Sequence, residues 1–242
     1  MPEIIERPSP NFDVRDCAID MLVLHYTAME TATAALDWLC NPESKVSTHY
    51  LIDEAGKVFR LVTEDQRAWH AGVANWFEET NINARSIGIE LHNPGPELGD
   101  PPFEEAQMVA LIDLVREIIA RHDIAATRVL GHSDVAPIRK RDPGEKFDWA
   151  RLADAGIGFW PDHTGAADQK VDPRSNGDEV SALQSMLGAY GYGVTRSGKY
   201  DDETKAVVTA FQRHFRPANV DGIADGETLG ILEALLIRLG DT

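Results

Sequence analysis

Ile19-Asp20-Met21-Leu22-Val23-Leu24-His25 is the stretch on which the architecture turns. Met21 to Leu24 are apolar in succession, so the run has no polar face. It is far too short for a membrane span and reads as a mostly buried strand over 19–24, ending at His25. The residues that follow extend this reading. Glu30 to Cys40, rich in alanine and leucine, predicts a short helix. His49-Tyr50-Leu51-Ile52 and Val58-Phe59-Arg60-Leu61 predict two strands, with Glu54-Ala55-Gly56-Lys57 as the hairpin turn between them. Thr63 to Arg85 has no period and reads as a long irregular segment carrying Trp69, His70, Trp76 and Phe77. Ser86 to His92 alternates, with Ile87, Ile89 and Leu91 on one face and Gly88, Glu90 and His92 on the other. A helix is predicted from Pro102 to His122. Glu104 and Glu105 suit the positive end of its dipole, and Met108, Leu111, Ile112, Val115 and Ile119 form its apolar stripe. Arg128-Val129-Leu130 is a last strand, leading into Gly131-His132. Elements in this order predict an α/β domain, a central mixed β-sheet with flanking helices.

Composition shifts after Ile157. Pro161, Pro173 and glycines without a period mark a linker over 157–176, between a domain at 1–156 and a smaller helical one at 177–242. The second domain carries an internal duplication. Ser197-Gly-Lys-Tyr-Asp-Asp-Glu-Thr204 aligns with Asp221-Gly-Ile-Ala-Asp-Gly-Glu-Thr228 at an offset of 24, and Leu183-Gln184 and Phe211-Gln212 precede the two copies on amphipathic stretches. Asp201 and Asp225 are each placed to cap the helix that follows.

The net charge is -17, and it is uneven: residues 170–242 carry 8 basic against 11 acidic groups, the first 169 carry 15 against 29. Such a field repels nucleic-acid phosphates and anionic lipid, so no nucleic acid partner and no membrane insertion are expected. Cys17 and Cys40 are too few for a disulfide framework, and Cys40 reads as a buried, inert thiol. The start, Met-Pro-Glu-Ile-Ile-Glu-Arg, has no basic segment followed by an apolar run. The expected location is therefore cytoplasmic, with the periplasm as the alternative for a chain trimmed of a signal.

Position selects among the eight histidines. His25 and His132 each follow a predicted strand, where sheets present functional groups. Ten residues after His132, Pro143 and Gly144 mark a tight loop holding Asp142. Two imidazoles and a carboxylate are a suitable donor set for a catalytic zinc with one position left for water. Spacing alone does not assign them, since no short metal motif such as His-Glu-x-x-His is present.

Six blocks add what spacing lacks. Val23-Leu24-His25-Tyr26-Thr27-Ala28, Thr48-His49-Tyr50-Leu51-Ile52, Ala68-Trp69-His70-Ala71-Gly72, Ser86-Ile87-Gly88-Ile89-Glu90-Leu91, Gly131-His132-Ser133-Asp134-Val135-Ala136-Pro137 and Lys140-Arg141-Asp142-Pro143-Gly144 occur in this order. Over roughly residues 15–155 the chain resembles the type 2 N-acetylmuramoyl-L-alanine amidases, whose fold is shared with peptidoglycan recognition proteins. The resemblance implies that His25, His132 and Asp142 bind Zn2+ and that Glu90 and Lys140 are the other catalytic groups. It implies hydrolysis of the amide joining N-acetylmuramic acid, or its 1,6-anhydro form, to L-alanine of the stem peptide. Glu90 then suits a general base and Lys140 a stabiliser of the negative oxygen. Trp69, His70, Asn81 and Arg85 are candidates for the substrate groove, Arg85 as a partner for a stem-peptide carboxylate. His70 can equally hydrogen-bond a reacting group. His49 reads as a structural histidine or one that supports a ligand, and His92, His122, His163 and His214 are read as non-functional. Asp178 to Leu236 resembles the small three-helix peptidoglycan-binding domain, which implies polymeric peptidoglycan as a partner besides muropeptide fragments. A non-catalytic muropeptide binder and a zinc peptidase acting within the stem are the competing readings.

Overall fold

The computed structural model describes residues 3–161 and 170–240. They form two compact units, each built from separate stretches of chain. The first comprises the described parts of Met1–Gly72, Asn81–His132 and Asp142–Phe159. The second comprises those of Val73–Thr80, Ser133–Arg141 and Trp160–Thr242.

The first unit is the mixed sheet with helices that the sequence predicts. Its strands are β1 (Ile4–Glu6), β2 (Phe12–Val14), β3 (Met21–Tyr26), β4 (Tyr50–Ile52), β5 (Val58–Arg60), β6 (Gln66–Ala68), β7 (Ser86–Leu91) and β8 (Val129–Gly131). The helices along the chain are α1 (Ala32–Leu39), α2 (Ile82–Arg85), α3 (Glu105–Arg121), α4 (His132–Val135) and α5 (Trp149–Asp154). The main sheet has the order β1-β5-β4-β7-β3-β8, and β2 pairs with β6 in a separate ribbon. Only the β4–β5 hairpin is antiparallel within the main sheet. β3 lies between β7 and the edge strand β8, and Met21 to Leu24 are fully buried on both its faces.

Several expectations need correction. His25 lies inside β3, not beyond it, because pairing with β7 continues through His25↔Glu90 and Tyr26↔Leu91. The stretch from Thr63 to Arg85 is not wholly irregular, since it holds β6 and α2. β1, β2 and β6 escape sequence reading because three residues carry no measurable period and, unlike β4 and β8, they are not wholly apolar runs; β5 was legible as the partner across the hairpin turn. Cys40 is half-buried, its thiol donating to the Arg7 carbonyl at 3.4 Å. α3 starts at Glu105, set by a capping box between Glu104 and Gln107. Its buried stripe includes Leu114 and Ile118, while Ile112 and Ile119 are only half-buried. Gln107 Nε2 also donates to the Ile52 and His92 carbonyls at 3.2 and 2.8 Å, tying α3 to the ends of β4 and β7.

The second unit contains α6 (Asp178–Tyr190), α7 (Asp202–Phe215) and α8 (Gly226–Gly240), the three predicted helices. The duplication is structural. Gln184 Nε2 donates to Thr204 Oγ1 and the Lys199 carbonyl, and its Oε1 accepts from Gly198 N. Gln212 repeats this with Thr228 Oγ1, the Ile223 carbonyl and Gly222 N. Asp201 accepts from Thr204 N at 2.9 Å and Asp225 from Thr228 N at 3.0 Å, so both aspartates cap as expected. Glycine is required at Gly198 and Gly222, where φ is +69° at both. The two ends of the predicted linker are packed rather than loose: Ile157 and Phe159 are buried, and Val171 bridges to Ala224.

Two stretches distant in sequence belong to this unit. Asp134, fully buried, accepts from the Tyr192 hydroxyl at 2.6 Å and from His214 Nδ1 at 2.7 Å. A buried carboxylate with two donors is a satisfied one, and it gives His214 a structural task. Trp76, also fully buried, meets the Tyr192 and Tyr190 rings edge-on at centroid distances of 4.9 and 6.0 Å.

Candidate metal centre

Register brings the first two histidines together. Leu24 of β3 pairs with Gly131, the last residue of β8; His25 follows within β3, and His132 follows as the first residue of α4. His25 Nδ1 and His132 Nδ1 stand 2.9 Å apart. Asp142 Oδ2 completes the triangle at 3.1 Å from His25 Nδ1 and 3.0 Å from His132 Nδ1. All three residues are buried. Burial alone would raise the Asp142 pKa; the neighbouring His132 and His25 outweigh it and hold the carboxyl well below the usual range.

The hydrogen bonds behind the rings decide what these atoms are. Ser86 Oγ donates to the Ile82 carbonyl at 2.6 Å, so it accepts from His70 Nε2–H at 3.1 Å. His70 Nδ1 is then an acceptor, and at 3.0 Å it takes the proton of His25 Nε2. His132 Nε2 donates to the Ala71 carbonyl at 3.0 Å. In the neutral rings both Nδ1 atoms are therefore lone pairs, facing each other and a carboxylate oxygen. Three lone-pair atoms converge, an arrangement that only a cation between them satisfies, a proton or a metal ion. Tetrahedral zinc with ligands at ~2.0–2.1 Å sets donor atoms about 3.3 Å apart, close to the observed triangle. The residues present fit the metal.

Further residues hold this arrangement. Burial first, then His25 and His49, push the His70 pKa well below its ordinary value, so the ring stays a neutral acceptor. His49 is neutral too, at about 3, through burial and the Arg15 guanidinium; its Nδ1 accepts from Gly88 N at 3.0 Å. Asn83 Oδ1 accepts from the backbone N–H of His70 and Ala71, at 3.1 and 2.7 Å, and so fixes both groups behind the histidines. A Cβ on Gly88 would lie 2.5 Å from His70 Cγ. Gly88→Ala is therefore expected to cost about 1–3 kcal/mol of stability, read by thermal melting. It should also weaken zinc retention roughly 10–100-fold against a competing chelator, as loss of an orienting partner does.

Comparison with known proteins bears on the whole chain. Residues 15–145 match the family described as N-acetylmuramoyl-L-alanine amidase. The chain belongs to the N-acetylmuramoyl-L-alanine amidase family. Residues 176–232 match a peptidoglycan binding domain family. The chain is 40% identical to N-acetylmuramoyl-L-alanine amidase AmiD of Escherichia coli K12, over 98% of this chain and 91% of that one. The structure of E. coli AmiD with the substrate anhydro-N-acetylmuramic acid-L-Ala-D-gamma-Glu-L-Lys is similar at a TM-score of 0.81 and 39% identity, covering 93% and 91% of the two chains. AmpDh3 of Pseudomonas aeruginosa in complex with anhydromuramic pentapeptide matches at 0.75 and 35%, covering 91% and 92%. The protein is thus an amidase that hydrolyses the bond between N-acetylmuramic acid and L-alanine, and peptidoglycan fragments are its ligands.

The amidase places its remaining predicted residues unevenly. Glu90 on β7 is the register partner of His25 on the adjacent parallel strand, so the two side chains leave the same face of the sheet about 4.8 Å apart at the backbone. Lys140 is half-buried, two residues ahead of Asp142, in the second compact unit. Trp69 is half-buried, and its Nε1 donates to Asp13 Oδ2 at 2.7 Å. His70 stands behind His25 and keeps partial exposure. Arg85 is a correction. It is bonded to Asp20, which also accepts from Arg128 at 3.0 Å. Arg85 and Asp20 each precede the paired residues Met21↔Ser86 and so lie five positions before His25↔Glu90, about 16 Å away at the opposite end of the strands. Asn81 is exposed at the start of α2, and the anchoring asparagine is Asn83 instead. Ser86, Gly88, Asn83 and Arg15 were not singled out from sequence. Of these only Gly88 carried a signal, a glycine inside an alternating strand. Among the histidines read as non-functional, His122 pairs with Glu64 at 2.6 Å and His92 approaches Thr27 Oγ1 at 3.3 Å; His163 lies outside the described residues.

Proposed function

We propose that His25, His132 and Asp142 hold one zinc ion, that Glu90 and Lys140 complete the catalytic set, and that the preferred substrates are anhydro-muropeptides. The observation that carries the reading is the triangle of two imidazole nitrogens and one carboxylate oxygen within 3.1 Å of one another. Zinc bound there supplies Lewis acidity and lowers the pKa of a coordinated water to about 7. Glu90, on the face that bears His25, takes the proton of the attacking water. The water oxygen bonds to the lactyl carbonyl carbon, and the negative charge that develops on the carbonyl oxygen is met by the Lys140 ammonium. The carbon–nitrogen bond then breaks, and Glu90 passes its proton to the departing L-alanine nitrogen. A sugar acid and a peptide with a free amino terminus remain.

The substrate reading draws on the relatives. E. coli AmiD was crystallised with an anhydro-muramyl tripeptide ending in L-Lys, and AmpDh3 with an anhydromuramic pentapeptide. We take the same class as substrate here, with a side-chain ammonium at the third stem residue. The helices of the second unit would serve to hold polymeric peptidoglycan. Mass spectrometry of digests tests both parts. Anhydro-muropeptide is expected to release an intact peptide beginning with L-alanine, and faster than intact sacculi do. Shortened peptides still joined to sugar would make the protein a peptidase. Sacculi cleaved at an equal or greater rate would overturn the substrate preference.

A further inference from the structure

The duplication in the second unit is unequal at one position. Gln184 and Gln212 are equivalent by their hydrogen bonds, and four residues beyond them stand Gly188 and Arg216. The Arg216 side chain is 4% exposed, and its guanidinium meets Asp225 at 2.6 Å, Glu227 at 3.3 Å and Asp221 at 3.5 Å. At the offset of 24, the first-repeat counterparts of Asp225, Glu227 and Asp221 are Asp201, Glu203 and Ser197. The first repeat thus keeps two of the three carboxylates, of which Glu203 lines the cavity, and lacks the cation that they meet in the second. Space is present where the cation would be. A Cβ on Gly188 would meet nothing within 4 Å, and Gly188 and Glu203 line a cavity of about 660 Å³.

The facing wall of this cavity comes from the stretch Val73–Thr80 of the same unit, through Asn75, Phe77 and Glu78. Phe77 and Glu78 have φ of +48° and +62°, the left-handed region that glycine and asparagine favour. They are the two central residues of a tight turn closed by mutual Trp76–Glu79 backbone hydrogen bonds of 3.0 Å. The turn is pinned by Phe77 N donating to the Gly191 carbonyl at 2.8 Å. Backbone in this region persists only where its surroundings impose it, and it is concentrated at binding sites. Here it sets an aromatic ring and a second carboxylate in the wall across from Gly188. Glu203 accepts one bond from Thr195 N at 3.1 Å and, as a carboxylate, retains acceptor capacity.

We propose that this cavity binds a side-chain ammonium of a peptidoglycan stem peptide, seated where Arg216 places its guanidinium in the sister repeat. Glu203 and Glu78 supply charge-assisted acceptors, and Phe77 offers a ring face to the cation. The inference goes beyond the zinc site and rests on the proposed substrate class only for the source of the ammonium.

Amide-resolved NMR titration of the full-length chain tests it, with L-Ala-D-γ-Glu-L-Lys as the probe and its Nε-acetyl form as the control. The tripeptide is expected to shift the amides of Gly188, Gly193 and Thr195 saturably, and acetylation to weaken this at least about tenfold, as loss of a charged contact does. Gly188→Arg, which supplies the missing cation from within, should abolish the shifts. So should Glu203→Gln, whose amide still accepts from Thr195. Both variants should keep the wild-type amide spectrum away from the cavity, so that loss of the shifts is not loss of the fold. Shifts that are absent, indifferent to acetylation, or retained in both variants would overturn the proposal. Cadaverine binding these amides more tightly than the tripeptide would overturn the stem-peptide assignment. Failure of the wild-type chain to cleave muropeptide would count against the catalytic reading alone, since the titration does not depend on turnover.

Discussion

Glu90→Ala is expected to lower kcat about 10³-fold while leaving one zinc per chain. The magnitude is that of a general acid–base group, which contributes roughly 10²–10⁴-fold. Retention of metal follows from geometry. The donor triangle is closed by His25, His132 and Asp142, and Glu90 joins it only as the neighbour of His25 across the β3–β7 pair. Without the carboxylate the water still has a place to bind, but no group takes its proton or returns it to the L-alanine nitrogen. The loss should fall on kcat more than KM, because the proton transfers are made in the transition state. Steady-state kinetics on an anhydro-muropeptide, with metal analysis of the same preparation, provides the check. Activity within tenfold of wild type would remove Glu90 from the mechanism.

Asp142→Ala is expected to abolish stoichiometric zinc. Outer residues that merely orient a ligand cost roughly 10–100-fold in metal affinity when lost, and removal of a donor atom should exceed that. Two neutral imidazoles would remain, with no anionic ligand to offset the charge of the ion. A ligand that binds only the folded chain stabilises it by about 4 kcal/mol at a thousandfold excess over Kd. The wild-type melting temperature should therefore rise on adding zinc and fall with a chelator, while the variant responds to neither. Without metal a smaller loss is expected. The ionised carboxylate is held by His132 and His25, so metal-free Asp142→Ala should melt no higher than metal-free wild type. Calorimetry with and without zinc reads both effects.

What the sequence disclosed follows from which interactions are local. The alternation of Ser86 to His92 and the apolar run before His25 declare strands, because burial on a pleated sheet is written at period two or as a continuous run. They do not declare register. It is register that sets Glu90 on one side of His25 and His132 on the other, and the family blocks supplied that partnership where spacing was silent. Arg85 shows the opposite error. It was read as a groove cation from its neighbourhood in the chain, while its partner Asp20 lies 65 residues away across the β3–β7 pair. Ser86 and Asn83 act through hydrogen bonds to His70 and Ala71, which leave no periodic trace. The capping aspartates Asp201 and Asp225 were legible, since a cap and the amide it bonds are three residues apart. The empty place opposite Gly188 was not, because it is defined by a comparison between two helices that the sequence shows only as a repeat.

The central claim is that two imidazole nitrogens and one carboxylate oxygen share a single ion. Zinc-edge X-ray absorption on the active enzyme tests it most directly. The account predicts one zinc per chain, with only nitrogen and oxygen neighbours at ~2.0–2.1 Å and scattering from two histidine rings. A sulfur neighbour at ~2.3 Å, or full activity in a preparation without zinc, would contradict it.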